Sequence, residues 1–333
     1  MNASKIYPIY TVTAHGADGT TYGLTNATID LMIDEPKSGL ANKVTFSLRN
    51  AAVGTKKLRD VLSLKMRITV TANDGETKKQ VFSGFLWSIK HTGGVEKTLQ
   101  CIAFDPLIYP QKSKDCMYFS AGKSTHSVCA TICEKWGLKL QFAYQSITHP
   151  KLPLNNKYIS DMLIEVLDAS KNQHGKKYVI RFESDVVKIL TVGSNTTVYG
   201  FARKKSMIGG SSEISLDGVI TRVAIAGTAD DNDRQPIEAT VSGKTSQYGT
   251  LQDIITRQTD TTLTEAKAEA GEILKEKGTP KPTYNRTLPD VPWVHKGDKI
   301  NISDEELNAD CIVLSVTHDA KHKTMEVEVE KAA

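Results

Sequence analysis

Cysteine is scarce in this chain and odd in number: five residues, at positions 101, 116, 129, 133 and 311. That count and uneven spacing do not make a disulfide framework, and synthesis in a reducing cytoplasm fits. Long apolar runs are missing as well. No stretch approaches the roughly 18 residues that a membrane-spanning helix needs. The opening MNASKIYPIYTVT has neither an apolar core nor a small-residue cleavage site. Neither membrane insertion nor a signal peptide is therefore expected, and a product found outside a cell would have to leave by lysis. Charge of one sign is also lacking, with 42 basic against 38 acidic residues and a net +4. No basic block exceeds Arg203-Lys204-Lys205, so no specific nucleic-acid partner is expected.

What is present is the composition of a globular protein, 39% hydrophobic and 24% charged over 333 residues, long enough for two or three domains. Residues 1–110 alternate as short strands: Thr28–Met32, Lys43–Leu48, Leu64–Thr71 and Gln80–Lys90, with Ile6-Tyr7 and Ile9–Val12 flanking Pro8. Asn73-Asp74-Gly75 and Gly93-Gly94 read as hairpin turns, and Gly84 within a strand reads as a bulge or corner. This pattern predicts an antiparallel barrel or sandwich.

The stretch Thr98–Leu140 marks a change of architecture. Leu99, Cys101 and Ala103 alternate in a strand that Asp105-Pro106 stops, and a connection through Tyr109, Pro110 and Tyr118-Phe119 follows. A helix then places Val128, Cys129, Ile132, Cys133 and Trp136 on one stripe and ends at Gly137. A second helix is expected with Ser160 as N-cap and an Ile159/Ile164 staple, then a hairpin around Glu183-Ser184-Asp185. Residues 111–195 thus form a smaller α+β region. Residues 196–215, with Lys204-Lys205 and Gly209-Gly210-Ser211-Ser212, read as a flexible connector. Strands return in 216–333, where Asp230–Asp233 is a polar loop tip and residues 249–278 are a helical insertion. In that insertion Leu251–Arg257 reads as helical, and Thr262-Leu263-Thr264-Glu265 is a capping box. Strands are expected at Trp293–Ile302, Ala309–Thr317 and Thr324–Glu330. The fold class is α+β, mainly β, with two antiparallel barrels flanking the α+β region.

The order of these features resembles the XkdQ/YqbQ-type baseplate hubs of contractile phage tails and phage-tail-like bacteriocins, and more distantly the hub of VgrG-type spikes. The residues that carry it are Asp105-Pro106, the Tyr/Lys linker, Gly122-Lys123-Ser124 at a helix start and Trp136-Gly137-Leu138 at its end. Val81–Ile89, Val294–Ile300, Ile312–His318 and Thr324–Val327 add to it. The resemblance implies a structural protein that acts as a homotrimeric ring between a sixfold tail tube, a central spike protein and other baseplate proteins. It implies assembly in a bacterial host cytoplasm and a final place in a virion or tail-like particle.

Several patterns could be read as chemistry. His318-Asp319-Ala320-Lys321-His322 has zincin-like spacing but falls between two strands, where it is expected to be a turn. Gly243-Lys244-Thr245 lacks the glycine-rich loop of a phosphate site, and Ser120–Lys123 lacks the companions of a nucleophilic serine motif. His126, Cys129 and Cys133 share a helix face better explained as core. No carboxylate sits in an apolar run that would raise its pKa. No enzyme activity, metal or cofactor is expected, and a tail-tip peptidoglycan hydrolase is the alternative. For a ring, the strand Lys323–Lys331 is expected near a subunit boundary. Glu326, Glu328 and Glu330 would face Lys65, Arg67, Lys78 and Lys79 of a neighbouring copy.

Overall fold

The computed structural model of the chain describes residues 7–93, 97–202, 208–228, 234–257 and 261–332. The expected Lys204-Lys205 pair, the Asp230–Asp233 tip, Ile6 and Gly94 lie outside the described residues. In order, the first elements are β1 (Ile9–His15), β2 (Thr21–Gly23), β3 (Thr28–Glu35), β4 (Lys43–Arg49), β5 (Ala52–Val53) and β6 (Lys56–Lys57). Then come α1 (Leu58–Val61), β7 (Arg67–Asn73), β8 (Lys78–Thr92), β9 (Thr98–Phe104) and α2 (Ile108–Lys112). The α+β region holds β10 (Lys114–Phe119), α3 (Thr125–Lys135), β11 (Leu140–Ala143), β12 (Leu152–Tyr158), α4 (Ile159–His174), β13 (Tyr178–Glu183) and β14 (Val186–Thr191). After it run β15 (Gly200–Ala202), β16 (Gly209–Glu213), β17 (Arg222–Ala226), β18 (Ile237–Ser242), α5 (Thr245–Tyr248), β19 (Gln252–Thr256) and α6 (Leu263–Lys277). The last strands are β20 (Thr283–Pro289), β21 (Lys299–Ser303), β22 (Asn308–Asp319) and β23 (Thr324–Lys331).

The chain divides into two compact units, residues 1–211 with 284–333, and residues 212–283. In the smaller unit a three-stranded sheet, ordered β18-β17-β19, is covered on one face by α6. Val223 and Ile225 of β17 pack there against Ala266 and Ala270. The capping box of α6 forms as expected, with Thr262 accepting the Glu265 N–H and Glu265 accepting that of Thr262. Leu251–Arg257, expected as helix, is instead the strand β19. Leu251, Ile254 and Ile255 fall at helical spacing, but parallel pairing to β17 satisfies the backbone, and that pairing is invisible locally.

The larger unit is mainly β, as expected. Thirteen strands join one sheet, whose main path is β16-β20-β23-β22-β3-β4-β9-β8-β7-β1-β2, with β21 and β15 branching from β22, while β5-β6, β10-β12 and β11-β14-β13 form smaller sheets. Strands from the two ends of the sequence are therefore neighbours, and this path does not close into a barrel among the described residues. The join is β22, whose first half pairs with β21 and whose second half pairs with β3, at Val316↔Glu35 through Asp319↔Met32. Alternation explains the strands: Val12, Ile33, Phe46, Ile68, Val70, Leu86 and Leu99 face one core, and Met325, Val327 and Val329 another. A third core belongs to the α+β region, where Val128, Cys129, Ile132 and Cys133 of α3 meet Met162, Leu163, Val166 and Leu167 of α4.

Local chemistry sets the ends of these elements. Ser124 Oγ caps α3 by accepting the Ser127 N–H at 3.1 Å, and Gly137 follows with φ +66°. Helix α4 begins one residue before the expected cap, with Tyr158 at its N-cap. Ser160 lies inside it, bonded to Asp161. The residues read as a connector contain strands β15 and β16. The strand expected from Trp293 begins only at Lys299, and the residues before it form an irregular strap, Asp290–Asp298. Strand β20 escaped notice because Pro280 and Pro282 precede it and Pro289 ends it.

Gly84 is not itself a bulge. The irregularities of β8 flank it, between its pairing positions Phe82 and Gln80 and between Leu86 and Ser88. A Cβ on Gly84 would lie 2.2 Å from the carbonyl oxygen of Phe104. Gly84→Ala should destabilise the chain by about 1–3 kcal/mol in urea unfolding, because the contact is backbone. Gly23→Ala, with nothing within 4 Å of the added atom, should stay within about 0.5 kcal/mol.

Candidate functional site: a buried three-way junction

The strap Asp290–Asp298 lies where the N-terminal strands, the α+β region and the C-terminal strands meet, and it carries a polar side chain for each. Period-two alternation puts Glu35 of β3 on the inward face with Leu31 and Ile33, leaving a carboxylate 4% exposed. His295 Nδ1 lies 2.6 Å from Glu35 Oε1, and the Lys296 N–H donates to Oε2 at 2.9 Å. Burial opposes the charge on Glu35, but His295, Arg181 and the Lys296 N–H outweigh it and hold its pKa at about 2. Burial likewise opposes the His295 cation, yet Glu35 and Glu183 raise it above its ordinary value. Lys296 Nζ donates to Pro36 O and Gly39 O, bracing the turn between β3 and β4.

Arg181 of β13 completes the junction from the α+β side. Its Nε donates to Lys296 O at 2.6 Å and its Nη2 to Asp298 Oδ1 at 2.7 Å. Lys188 of β14 pairs with Glu183 at 2.8 Å, and burial of Glu183 is overcome by His295, Lys188 and Arg181, lowering its pKa. Asp298 Oδ2 accepts the His295 N–H, and Gly297, at φ +83°, passes so close to Val179 that a Cβ would lie 2.8 Å from that side chain. Only glycine allows both the turn and that approach.

A second knot lies beside the first. Asp290 takes the Tyr10 hydroxyl at 2.6 Å and lies 2.7 Å from His318 Nδ1, while His318 Nε2 faces Val294 O at 3.1 Å. Trp293 Nε1 donates to Asp74 Oδ2 at 2.8 Å, and Lys79 sits over the Trp293 ring. Around these residues opens a cavity of about 1470 Å³, walled by the β7–β8 hairpin, the β13–β14 hairpin, residues 194–199 and the strap. Glu183 and Asp298 on its wall are paired with cations, and Asp290 is bonded to Tyr10 and His318.

Two expectations need correction here. His318 is not in a turn: it is the inward residue near the end of β22, 3% exposed, and only His322 lies in the exposed turn. A carboxyl with a raised pKa also exists. Burial pushes Asp105 up to about 8, with Glu35 adding to the rise, while the N–H groups of Asn42 and Leu107 and the charge of Lys296 pull the other way. The sequence hid it because Asp105 sits at the end of an apolar strand and reads as a stop. It does not line the cavity. His126 stacks on Phe142 with ring centroids 5.0 Å apart, while Cys129 and Cys133 are core. Among the described residues no group of three or more His, Cys, Asp or Glu is placed to hold a metal ion.

The residues expected at a subunit boundary lie on separate strands. Lys65 sits exposed before β7, Arg67 opens β7, and Lys78 and Lys79 open β8. Arg67 pairs with Asp185 at 2.5 Å. Glu326, Glu328 and Glu330 project from β23, with Glu328 2.5 Å from Lys37 and Glu330 2.6 Å from Lys177. Strand β23 is bonded on both sides, to β20 and β22, so it offers no free edge. The sequence did not reveal Glu35, Arg181, Asp290 or His295. The inward register of Glu35 and His318 was the one signal that could have flagged a buried polar pair.

His318→Ala should destabilise the chain by about 3–5 kcal/mol, since it leaves the buried Asp290 with only the Tyr10 hydroxyl among its side-chain partners and opens a cavity. His322→Ala should cost less than about 0.5 kcal/mol. Equilibrium urea unfolding of the two variants checks the difference.

The model of the YQBQ-like family matches residues 35–330. No curated protein matches the chain by sequence. Among solved structures, the tail protein from Neisseria meningitidis MC58 aligns with a TM-score of 0.69 at 12% identity, covering 97% of this chain and 96% of that one. The 43 kDa tail protein of prophage MuSo2 from Shewanella oneidensis aligns at 0.66 and 12% identity, with 97% and 98% covered. Prophage tail protein gp18 from Listeria monocytogenes EGD-e aligns at 0.56 and 11% identity, with 97% and 95% covered. At these identities the likeness is one of fold, and it runs from end to end. With the family match running from Glu35, at the end of β3, into β23, and so over most of the chain, the chain belongs to the YQBQ-like family.

Proposed function

We propose that this chain is a structural protein of a phage tail or tail-like particle, placed in the baseplate, and not an enzyme. The observation that carries the reading is the end-to-end correspondence of fold with three tail proteins, two of them from prophages. The state of the cavity supports it. Of the carboxylates on its wall, Asp74, Glu183, Asp290 and Asp298 are bonded to neighbours, and Asp105, the carboxyl whose pKa burial raises, lies off it. The tail-tip hydrolase reading has no such support.

In the finer form of the proposal the chain is the hub. Three copies form a ring that joins a sixfold tail tube to a threefold central spike, alongside other baseplate proteins. Residues 1–110 and 216–333 act as two barrel-like halves about residues 111–195, so that three chains present six comparable units. Assembly takes place in a bacterial cytoplasm, with release by lysis. The acidic row of β23 and the basic residues Lys65, Arg67, Lys78 and Lys79 remain the proposed contact. With β23 fully paired, that contact is made by side chains rather than by an added strand.

Light scattering on the purified chain should give three times the chain mass. Reversal of Glu326, Glu328 and Glu330 to lysine should shift it toward monomer with the circular dichroism spectrum unchanged, since exposed pairs such as Glu328–Lys37 contribute about 0–1 kcal/mol to folding. A wild-type monomer at all concentrations contradicts the ring. A trimer that survives the reversal contradicts this contact.

A further inference from the structure

Asp105 is 1% exposed, and its two oxygens take only backbone donors: Oδ2 from Asn42 and Oδ1 from Leu107, both at 2.9 Å. Among the described residues no cation pairs with it. With Glu35 it brackets the turn between β3 and β4, whose remaining holders are Lys296 Nζ on Pro36 O and Gly39 O, and Gln111 Oε1 on the N–H groups of Leu40 and Ala41. The charged groups facing this cluster come from every element packed on it. They are Glu35 of β3, Asp105 after β9, Arg181 and Glu183 of β13, Lys188 of β14, and His295, Lys296 and Asp298 of the strap.

We propose that this cluster is a proton-operated latch: with Asp105 protonated and His295 cationic it fastens the β3–β4 turn to the strap, and loss of those protons frees both segments while the sheet stays folded. Burial favours the first condition against the two backbone N–H bonds and the charge of Lys296, because Asp105 is 1% exposed and forms no salt bridge among the described residues. An ionised Asp105 would be a buried anion facing Glu35, with only neutral donors in bonding contact. Every shift at the cluster has a definite sign. Asp105, raised from 3.8 to about 8, contributes fully below 3.8 and progressively less as pH climbs to about 8. His295, raised from 6.5, contributes fully below 6.5 and loses its contribution as pH passes its folded value. Glu35, lowered from 4.5 to about 2, works the other way, but only as pH falls below 4.5. Glu183 is lowered in the same sense. Lys296, lowered from 10.5 chiefly by burial, offsets the loss as pH climbs above its folded value. The latch is therefore tightest in mild acid and loosens through neutrality.

Hydrogen exchange by mass spectrometry on the full chain, corrected for intrinsic rates, tests this at about pH 5.5 and about pH 8.5. The amides of Lys37–Asn42 and Trp293–Asp298 should lose protection at least tenfold at the higher pH, with β4 and β9 unchanged. Asp105→Asn and His295→Gln should each shrink that ratio toward one. Equal protection of the two segments at both pH values in the wild type overturns the latch. So does an equal loss across β4 and β9, which would be global unfolding. If Asp105→Asn does not fold, His295→Gln decides: a full tenfold loss in that variant contradicts the assignment.

Discussion

Glu35 is held between His295 and the backbone of Lys296, some 260 residues away in sequence, and the larger unit depends on that contact. A carboxylate this deep is tolerated only because each oxygen meets a donor and a cation stands beside it. The same strap that supplies those donors also receives Arg181 from the α+β region and places Asp290 beneath Tyr10 and His318. Removing one partner would leave the other charge buried and unpaired, a loss of about 3–5 kcal/mol in comparable cases. Three segments with three separate apolar cores are thereby made to adopt one arrangement, which apolar packing alone specifies less sharply.

The sheet reinforces this arrangement. Strand β22 pairs along one edge with β21 and then with β3, so the C-terminal strands continue the N-terminal sheet while keeping a core of their own. Val316 stands opposite Glu35 in that register. The hydrogen-bonding ladder and the buried ion pair therefore fix the same alignment, and a slip of one residue in β22 would turn His318 out of the core as well.

Much of the fold was legible because its rules are local. The hairpin at Ser184-Asp185, both with positive φ, the αL position of Gly137, the capping box of α6 and the alternation of β23 all follow from residues within a few positions of one another. Where partners are distant, local reading failed. Strand β19 carries a helical spacing that pairing with β17 overrides, and β20 is hidden among prolines. The strap was noticed for its Gly-Asp pair, yet nothing in Val294–Ile300 says that its histidine meets Glu35. His318 shows the limit best: an alternating strand put it on the inward face, but a match to a metal-site spacing drew the reading to a turn. Asp105, a boundary residue by every local rule, is a buried acid because Asn42 and Leu107 close over it.

The central claim is that the strap unites the N-terminal strands, the α+β region and the C-terminal strands into one cooperative body. Urea unfolding followed by separate probes in β4, α4 and β22, in the wild type and in Arg181→Met, tests it most directly. The account predicts one shared midpoint in the wild type. In the variant, α4 should unfold at lower urea while β4 and β22 still unfold together. A wild type in which α4 already unfolds apart, or a variant whose three midpoints stay shared and unmoved, would contradict it.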